Sequence, residues 1–350
     1  MLRRIGKSIA VILGLVVLLF GYNAVRYLLI WQADEAVSFE NDGIRFEGTL
    51  FKPKKDGVFP AVIILHGSGA ETRREPSYRV AARTMLAQGF AILLYDKRGS
   101  GASGGDLDSA TYGDLASDAH AALRFLQRRA DIDSRNIGLF ANSESGWFAP
   151  EVAAESRKIA FIINRVGPPL PWIDTVIWEV RNDLREAGIA ESDLDEILGV
   201  TLKRWSYYQA AANDPALAAA SERDALNAEI ARVYASVPGA DRVMNPQLGD
   251  YDPEFYSTFA AKSAYDPDPF LRRIDIPLLY IFGELDINVP TAQSVEYLEA
   301  LRERYPSEIA IYVYPGLNHS LFTWRGLLHG GYPPDYLDRV GDWARAKVRE

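Results

Sequence analysis

From Ala36 onward the apolar residues fall first into alternation and then into short unbroken runs. "AVSFENDGIRFEGTLFKP" alternates apolar and polar positions on either side of Asp42-Gly43. That pair is favoured in two-residue type I′ turns, so the stretch predicts an antiparallel hairpin opening a sheet. Beyond it the period changes. "AVIILHG", "AILLYD", "IGLFANS", "FIINRV", "PLLYIFG" and "IAIYVYP" are short, continuous and rich in branched side chains, as parallel strands buried on both faces are. Helical patterns over 75–88, 112–129, 146–156 and 291–303 separate most of these runs, and 335–348 fits a closing helix. Repeated strand–helix alternation predicts an α/β fold with a mostly parallel sheet, helices on both faces, and ligands bound beyond the carboxyl ends of the strands.

Two segments depart from that rhythm. Between Gly167 and Asp268 no strand pattern occurs, while "WIDTVIWEVRNDLREAG", "LDEILGVTLKRWSYYQAAA" and "ERDALNAEIARVYASV" read as helices. "GPPLPW" and "DPDP" form stiff borders on either side. This interval is expected to be a helical cap over the mouth of the sheet; an independent helical domain is the alternative. At the other departure, "SIAVILGLVVLLFGYNAV" at 8–25 carries no charge and follows Arg3, Arg4 and Lys7. Its length suits a bilayer, and the preceding cations predict a cytoplasmic N-terminus with the rest of the chain exported. An uncleaved transmembrane anchor is favoured over a signal peptide, since no small-x-small cleavage site follows. The expected domains are thus a membrane anchor or signal at 1–31, a first core part at 36–166, the cap at 167–268 and a second core part at 269–350.

Composition narrows the chemistry. With 350 residues, 48% hydrophobic, the chain can bury a large core. Its net charge of -9 and the lack of a basic stripe beyond the extreme N-terminus argue against a nucleic-acid partner. There is no cysteine, which excludes disulfides, thiol catalysis and thiolate metal sites. The four histidines show no metal-ligand spacing, so no metal and no cofactor is expected.

The remaining signal lies at strand ends. "IGLFANS" runs straight into "ESGWFAPEVAAES", with Ser143 at the junction. A serine on so tight a turn projects above the sheet if the residues two before and two after are small. Those are Ala141 and Ser145, which makes "ANSES" a degenerate form of the usual G-x-S-x-G. Ser145 fits less well as the reactive serine, because Trp147 would then occupy a small position. Asp286 follows the strand of "PLLYIFGELD", and His319 follows that of "IAIYVYPGLNHS". Serine, acid and base in this order, each just past a parallel strand, point to a nucleophile activated by an imidazole that a carboxylate orients. "LHGSGA" supplies a glycine-rich turn, so the backbone N–H groups of Ser68 and Glu144 are the expected oxyanion donors. His66 is expected to brace that turn, with a second catalytic base as the alternative. "DKRGSGASGGD" lacks the phosphate-loop pattern, and its Asp96 and Arg98 are expected to organise the loop. Trp147, Trp172, Trp178 and Trp205 either line an apolar acyl pocket or belong to ordinary core.

With "LHGSGA", "YDKRGSGAS", "NSESGW", "FGELDINVP" and "GLNHS" in this order, the chain from about Val37 to its end resembles the α/β-hydrolase superfamily. Within it, the chain looks like bacterial serine esterases and acyl hydrolases with a helical insert before the acid-bearing strand. The resemblance implies Ser143 as nucleophile, Asp286 as acid and His319 as base. It also sets Glu144 where a glutamine is common, and the side chain of Glu144 is expected to point away from the oxyanion. The expected reaction is hydrolysis of a small-molecule carboxylic ester or thioester through an acyl-enzyme. A serine peptidase or aminopeptidase of the same fold is the first alternative, transfer of the acyl group to an alcohol a further one, and a membrane-tethered binding protein without turnover the last.

Overall fold

The structure, a computed structural model, describes residues 14–15, 17–18, 21–22, 34–214, 220–243, 245, 247–249, 251–305 and 308–349. Its centre is an eight-stranded sheet in the order β1-β2-β4-β3-β5-β6-β7-β8. β1 (Asp34–Asn41) and β2 (Ile44–Phe51) form the antiparallel hairpin. Asp42 and Gly43 both take positive φ, 49° and 77°, as a type I′ turn requires. β3 (Phe59–Leu65), β4 (Ala91–Tyr95), β5 (Ile132–Asn142), β6 (Ile159–Arg165), β7 (Leu278–Gly283) and β8 (Ile309–Tyr314) run parallel.

The unbroken apolar runs follow from burial on both faces. In β3, Ala61, Ile63 and Leu65 enter one core, while Val62 and Ile64 enter the other. Helices α2 (Tyr112–Gln127), α3 (Ser145–Ser156) and α9 (Thr291–Arg304) cover the first face; α1 (Pro76–Ala87) and α10 (Tyr336–Ala346) cover the second. At ~25 cal/mol per Å² of apolar surface removed from water, these two layers dominate the folding free energy.

Between β6 and β7 the chain is helical: α4 (Trp172–Glu186), α5 (Glu191–Asn213), α6 (Ala220–Ser236), α7 (Pro253–Ser263) and the short α8 (Asp268–Leu271). These helices carry a core of their own around Leu184, Ile197, Trp205, Ile230 and Val233. Trp172 touches both this core and that of the sheet.

The expected N-terminal transmembrane helix is not upheld, and with it fall the membrane partner and the exported location. A span requires about 20 consecutive apolar residues in one helix, and among the described residues no helix is long and apolar enough to cross a membrane. Of the stretch 8–25 only Gly14, Leu15, Val17, Leu18, Gly21 and Tyr22 are described; the rest lies outside the described residues.

Candidate active site

Ser143 lies between the last residue of β5 and the start of α3, with φ at 50°, a left-handed conformation uncommon for a residue with a side chain. Two contacts fix this turn: the Ser143 N–H donates to the Arg165 carbonyl at 2.9 Å, and the Gly146 N–H donates to the Ser143 carbonyl at 2.8 Å. Helix and sheet approach so closely here that a Cβ on Gly146 would lie 2.6 Å from Gly167 Cα. Ser145 is wholly buried; its hydroxyl accepts from the Asn142 N–H at 2.7 Å and reaches the Leu65 carbonyl at 3.2 Å. Ser145 therefore fills the place of the usual glycine and ties β5 to β3.

The loops after β7 and β8 bring the other two residues to this turn. His319 Nε2 lies 2.9 Å from the Ser143 hydroxyl, and His319 Nδ1 lies 2.8 Å from Asp286 Oδ2. The Asp286 side chain is fully buried, and its Oδ1 accepts the N–H groups of Asn288 at 2.9 Å and Val289 at 3.0 Å. Gly283 allows the two loops to meet, since a Cβ there would lie 2.4 Å from the carbonyl oxygens of Leu317 and Asn318. Helix α4 holds the acid loop from above: Trp178 Nε1 donates to the Asp286 carbonyl at 3.3 Å and Asn182 Nδ2 to that of Ile287 at 3.1 Å. Such a serine–imidazole–carboxylate chain can make a hydroxyl nucleophilic near neutral pH.

The turn after β3 lies against Ser143, with the position of a Gly67 Cβ 3.5 Å from Ser143 Cβ. Its bracing does not come from His66. That imidazole is buried edge-on between Tyr78 and Tyr95, and its Nε2 meets no partner among the described residues. Burial, with Lys97 nearby, pushes its pKa down to about 3, so it takes up no proton near neutral pH, and no hydrogen bond joins it to the turn among the described residues. Glu71, Tyr78 and Lys97 do the bracing, none of which the sequence singled out. The Gly67 N–H donates to Glu71 Oε2 at 2.6 Å and to the Tyr78 hydroxyl at 2.7 Å, and Lys97 Nζ donates to the Gly67 carbonyl at 2.8 Å. The next N–H, that of Ser68, and the Glu144 N–H beyond Ser143 are left without an acceptor among the described residues. The Glu144 carboxylate is held by Lys97 Nζ at 2.5 Å.

Asp96 and Arg98 organise their loop. Asp96 accepts from the N–H groups of Arg73 and Ala102, both at 2.9 Å, and Arg98 forms a buried ion pair with Asp118 at 2.8 Å. Of the four tryptophans only Trp147 lines the cavity over Ser143; Trp172 and Trp205 pack on each other among the inserted helices. That cavity measures about 310 Å³ and is more polar than an acyl pocket was expected to be, with Glu71, Glu144, Arg165 and Glu179 on its walls. Burial raises the pKa of Glu179, against the hydrogen bond that Asn288 Nδ2 donates at 2.7 Å. A larger cleft of about 780 Å³, lined by Arg135, Arg157 and Arg273, sits at the amino ends of β6 and β7. It is remote from Ser143, so size does not mark the reactive end of this sheet.

Comparison with known proteins bears on the family and the fold. The family model described as X-Pro dipeptidyl-peptidase (S15 family) matches residues 42–319. Esterase EstD of Thermotoga maritima is 24% identical over 323 residues, covering 87% of this chain and 68% of that protein. Acylamino-acid-releasing enzyme 2 of Oryza sativa is 22% identical over 79% of this chain, which spans only 29% of the rice protein. Among solved structures, an esterase of Pyrococcus furiosus superposes with a TM-score of 0.58 at 18% identity, covering 90% of this chain and 91% of the other.

Proposed function

The chain belongs to the X-Pro dipeptidyl-peptidase (S15) family of α/β-hydrolases, and on that premise we propose that this serine hydrolase cleaves carboxylic esters or thioesters through an acyl-enzyme. Ser143 is the nucleophile, His319 the general base and Asp286 the acid that orients it. The observation carrying this reading is the unbroken chain from the Ser143 hydroxyl to His319 Nε2 at 2.9 Å and from His319 Nδ1 to Asp286 Oδ2 at 2.8 Å.

In acylation, Ser143 Oγ attacks the carbonyl carbon while His319 Nε2 takes its proton. Asp286, already saturated at Oδ1 by two backbone N–H groups, keeps the Nδ1 proton in place and stabilises the imidazolium. The free N–H groups of Ser68 and Glu144 receive the negative oxygen, each such donor contributing about 3 kcal/mol in the transition state. His319 then passes its proton to the leaving alcohol or thiol. A water molecule repeats the sequence on the acyl-enzyme and releases the acid. The helices between β6 and β7 serve as a cap, with α4 fixing the acid loop and closing the cavity from above.

A second reading is cleavage of a peptide bond near a free amino terminus. The family's description favours it, and so does Glu179, a carboxylate on the cavity wall whose described partner is a neutral amide. Such a group gains from a cation in the substrate.

Initial rates on a short-chain aryl ester and on an X-Pro anilide, with wild type and Ser143→Ala, test both. The ester reading requires faster ester turnover that the substitution abolishes. A greater kcat/KM on the anilide, falling in Glu179→Gln, turns the assignment to peptides. Undiminished turnover in folded Ser143→Ala removes both.

A further inference from the structure

Arg165 closes β6, and the residue is 7% exposed beside the cavity. A cation taken so far out of water is ordinarily matched by a carboxylate, yet among the described residues none lies within ion-pair distance of it. Its acceptors are neutral. Nη1 donates to the side-chain oxygen of Asn142, Nη2 donates to the Ser320 carbonyl at 2.6 Å, and the Tyr332 ring lies 5.2 Å away. Nε has no acceptor among the described residues.

The identity of the two acceptors carries the inference. Asn142 directly precedes Ser143, and Ser320 directly follows His319. Through its backbone, Arg165 also accepts the Ser143 N–H at 2.9 Å. Asn142 Nδ2 in turn donates to the Tyr78 hydroxyl at 3.1 Å, and that hydroxyl accepts the Gly67 N–H at 2.7 Å. One side chain thus joins the serine turn to the histidine loop, and through Asn142 and Tyr78 reaches the turn that bears Ser68.

We propose that Arg165 is a positioning residue: its planar fork clamps the His319 loop to the Ser143 turn, setting the distance across which the proton moves. This rests on the roles assigned above to Ser143 and His319. The loop after β8 is otherwise tied to the loop after β7, with the Leu285 N–H donating to the Leu317 carbonyl and the Gly316 N–H to Glu284 Oε2, both at 2.8 Å, and the strands β5 and β8 are separated by β6 and β7. A rigid two-pronged donor suits that span, whereas the ammonium of lysine is a compact point charge whose donors all leave from one atom. The clamp acts on geometry and touches no reacting atom.

The test uses the full chain, a short-chain aryl ester, and the variants Arg165→Ala and Arg165→Lys. Misplacement by about 1 Å costs on the order of 100-fold in rate. Arg165→Ala is therefore expected to lose on the order of 100-fold in kcat with KM changed by less than about threefold. Added guanidinium ion, occupying the vacated space, restores part of that loss. The downfield proton NMR signal of the His319 Nδ1 hydrogen, sharp in wild type, broadens in the variant. If Arg165→Ala does not fold, Arg165→Lys carries the same expectation for kcat and the NMR signal. Wild-type kcat in either folded variant, or lost kcat with an unchanged Nδ1 signal and no guanidinium rescue, overturns the proposal. Those results leave the assigned reaction standing as long as Ser143→Ala abolishes turnover; turnover surviving in Ser143→Ala ends the reading of the site itself.

Discussion

Replacing Asp286 by asparagine probes the least exposed member of the site with almost no change of shape. Its Oδ1 accepts the N–H groups of Asn288 and Val289, and its Oδ2 faces His319 Nδ1 at 2.8 Å. In Asp286→Asn the amide oxygen must stay with the two backbone donors. Turning the amide round would strand both of them, at about 1–3 kcal/mol each in a buried setting. The NH₂ group then faces His319 and donates to Nδ1, which moves the ring proton to Nε2, opposite the Ser143 hydroxyl. That is the wrong tautomer for a base. Loss of the oriented base costs about 10⁴ in kcat where such a substitution acts through the tautomer, equivalent to about 5 kcal/mol of transition-state stabilisation. Initial rates on a short-chain aryl ester, with thermal unfolding as a control, read the effect. A folded Asp286→Asn enzyme within tenfold of wild-type kcat would refute the assigned role of the carboxylate.

Other consequences follow from buried polar groups. Ser145→Ala removes the acceptor for the Asn142 N–H and the donor to Leu65. It should lower stability by about 1–3 kcal/mol in denaturant unfolding while leaving most turnover intact; abolished turnover in a folded variant would move the nucleophile to Ser145. His66, neutral in the fold with its pKa pushed down to about 3, stays unprotonated where the unfolded chain takes up a proton below about 6.5. Its contribution is complete above the unfolded value and is lost as pH falls from there toward about 3, at a slope of about 1.4 kcal/mol per pH unit. His66→Leu should flatten the acid limb of stability against pH, and an unchanged limb would show that the imidazole is protonated in the native state.

The strand-end residues were legible because each follows a continuous apolar run, and parallel topology carries the ends of such runs to one edge. Asp42-Gly43 announced the hairpin for an equally local reason, both positions needing positive φ. Glu71, Tyr78, Lys97 and Arg165 stayed hidden. A buried polar side chain looks the same in sequence as an exposed one, and what distinguishes it is a partner distant along the chain. Only Arg165 left a trace, as a charge closing the apolar run "FIINRV", where a charged residue is rarely buried without a task. The assignment to His66 failed because an imidazole beside a functional turn was read by proximity alone, while its ring packs between two tyrosines. The N-terminal expectation is overturned on a different point: among the described residues no helix is long and apolar enough to cross a membrane, and most of the stretch 8–25 lies outside them.

The nucleophile itself is open to direct measurement. Reaction of the full chain with a fluorophosphonate, followed by peptide mass spectrometry, locates the serine that attacks. The account predicts a single adduct on Ser143, formed more slowly in Asp286→Asn and absent in Ser143→Ala. An adduct on Ser145 or Ser68, or no adduct on folded wild-type protein, would contradict it.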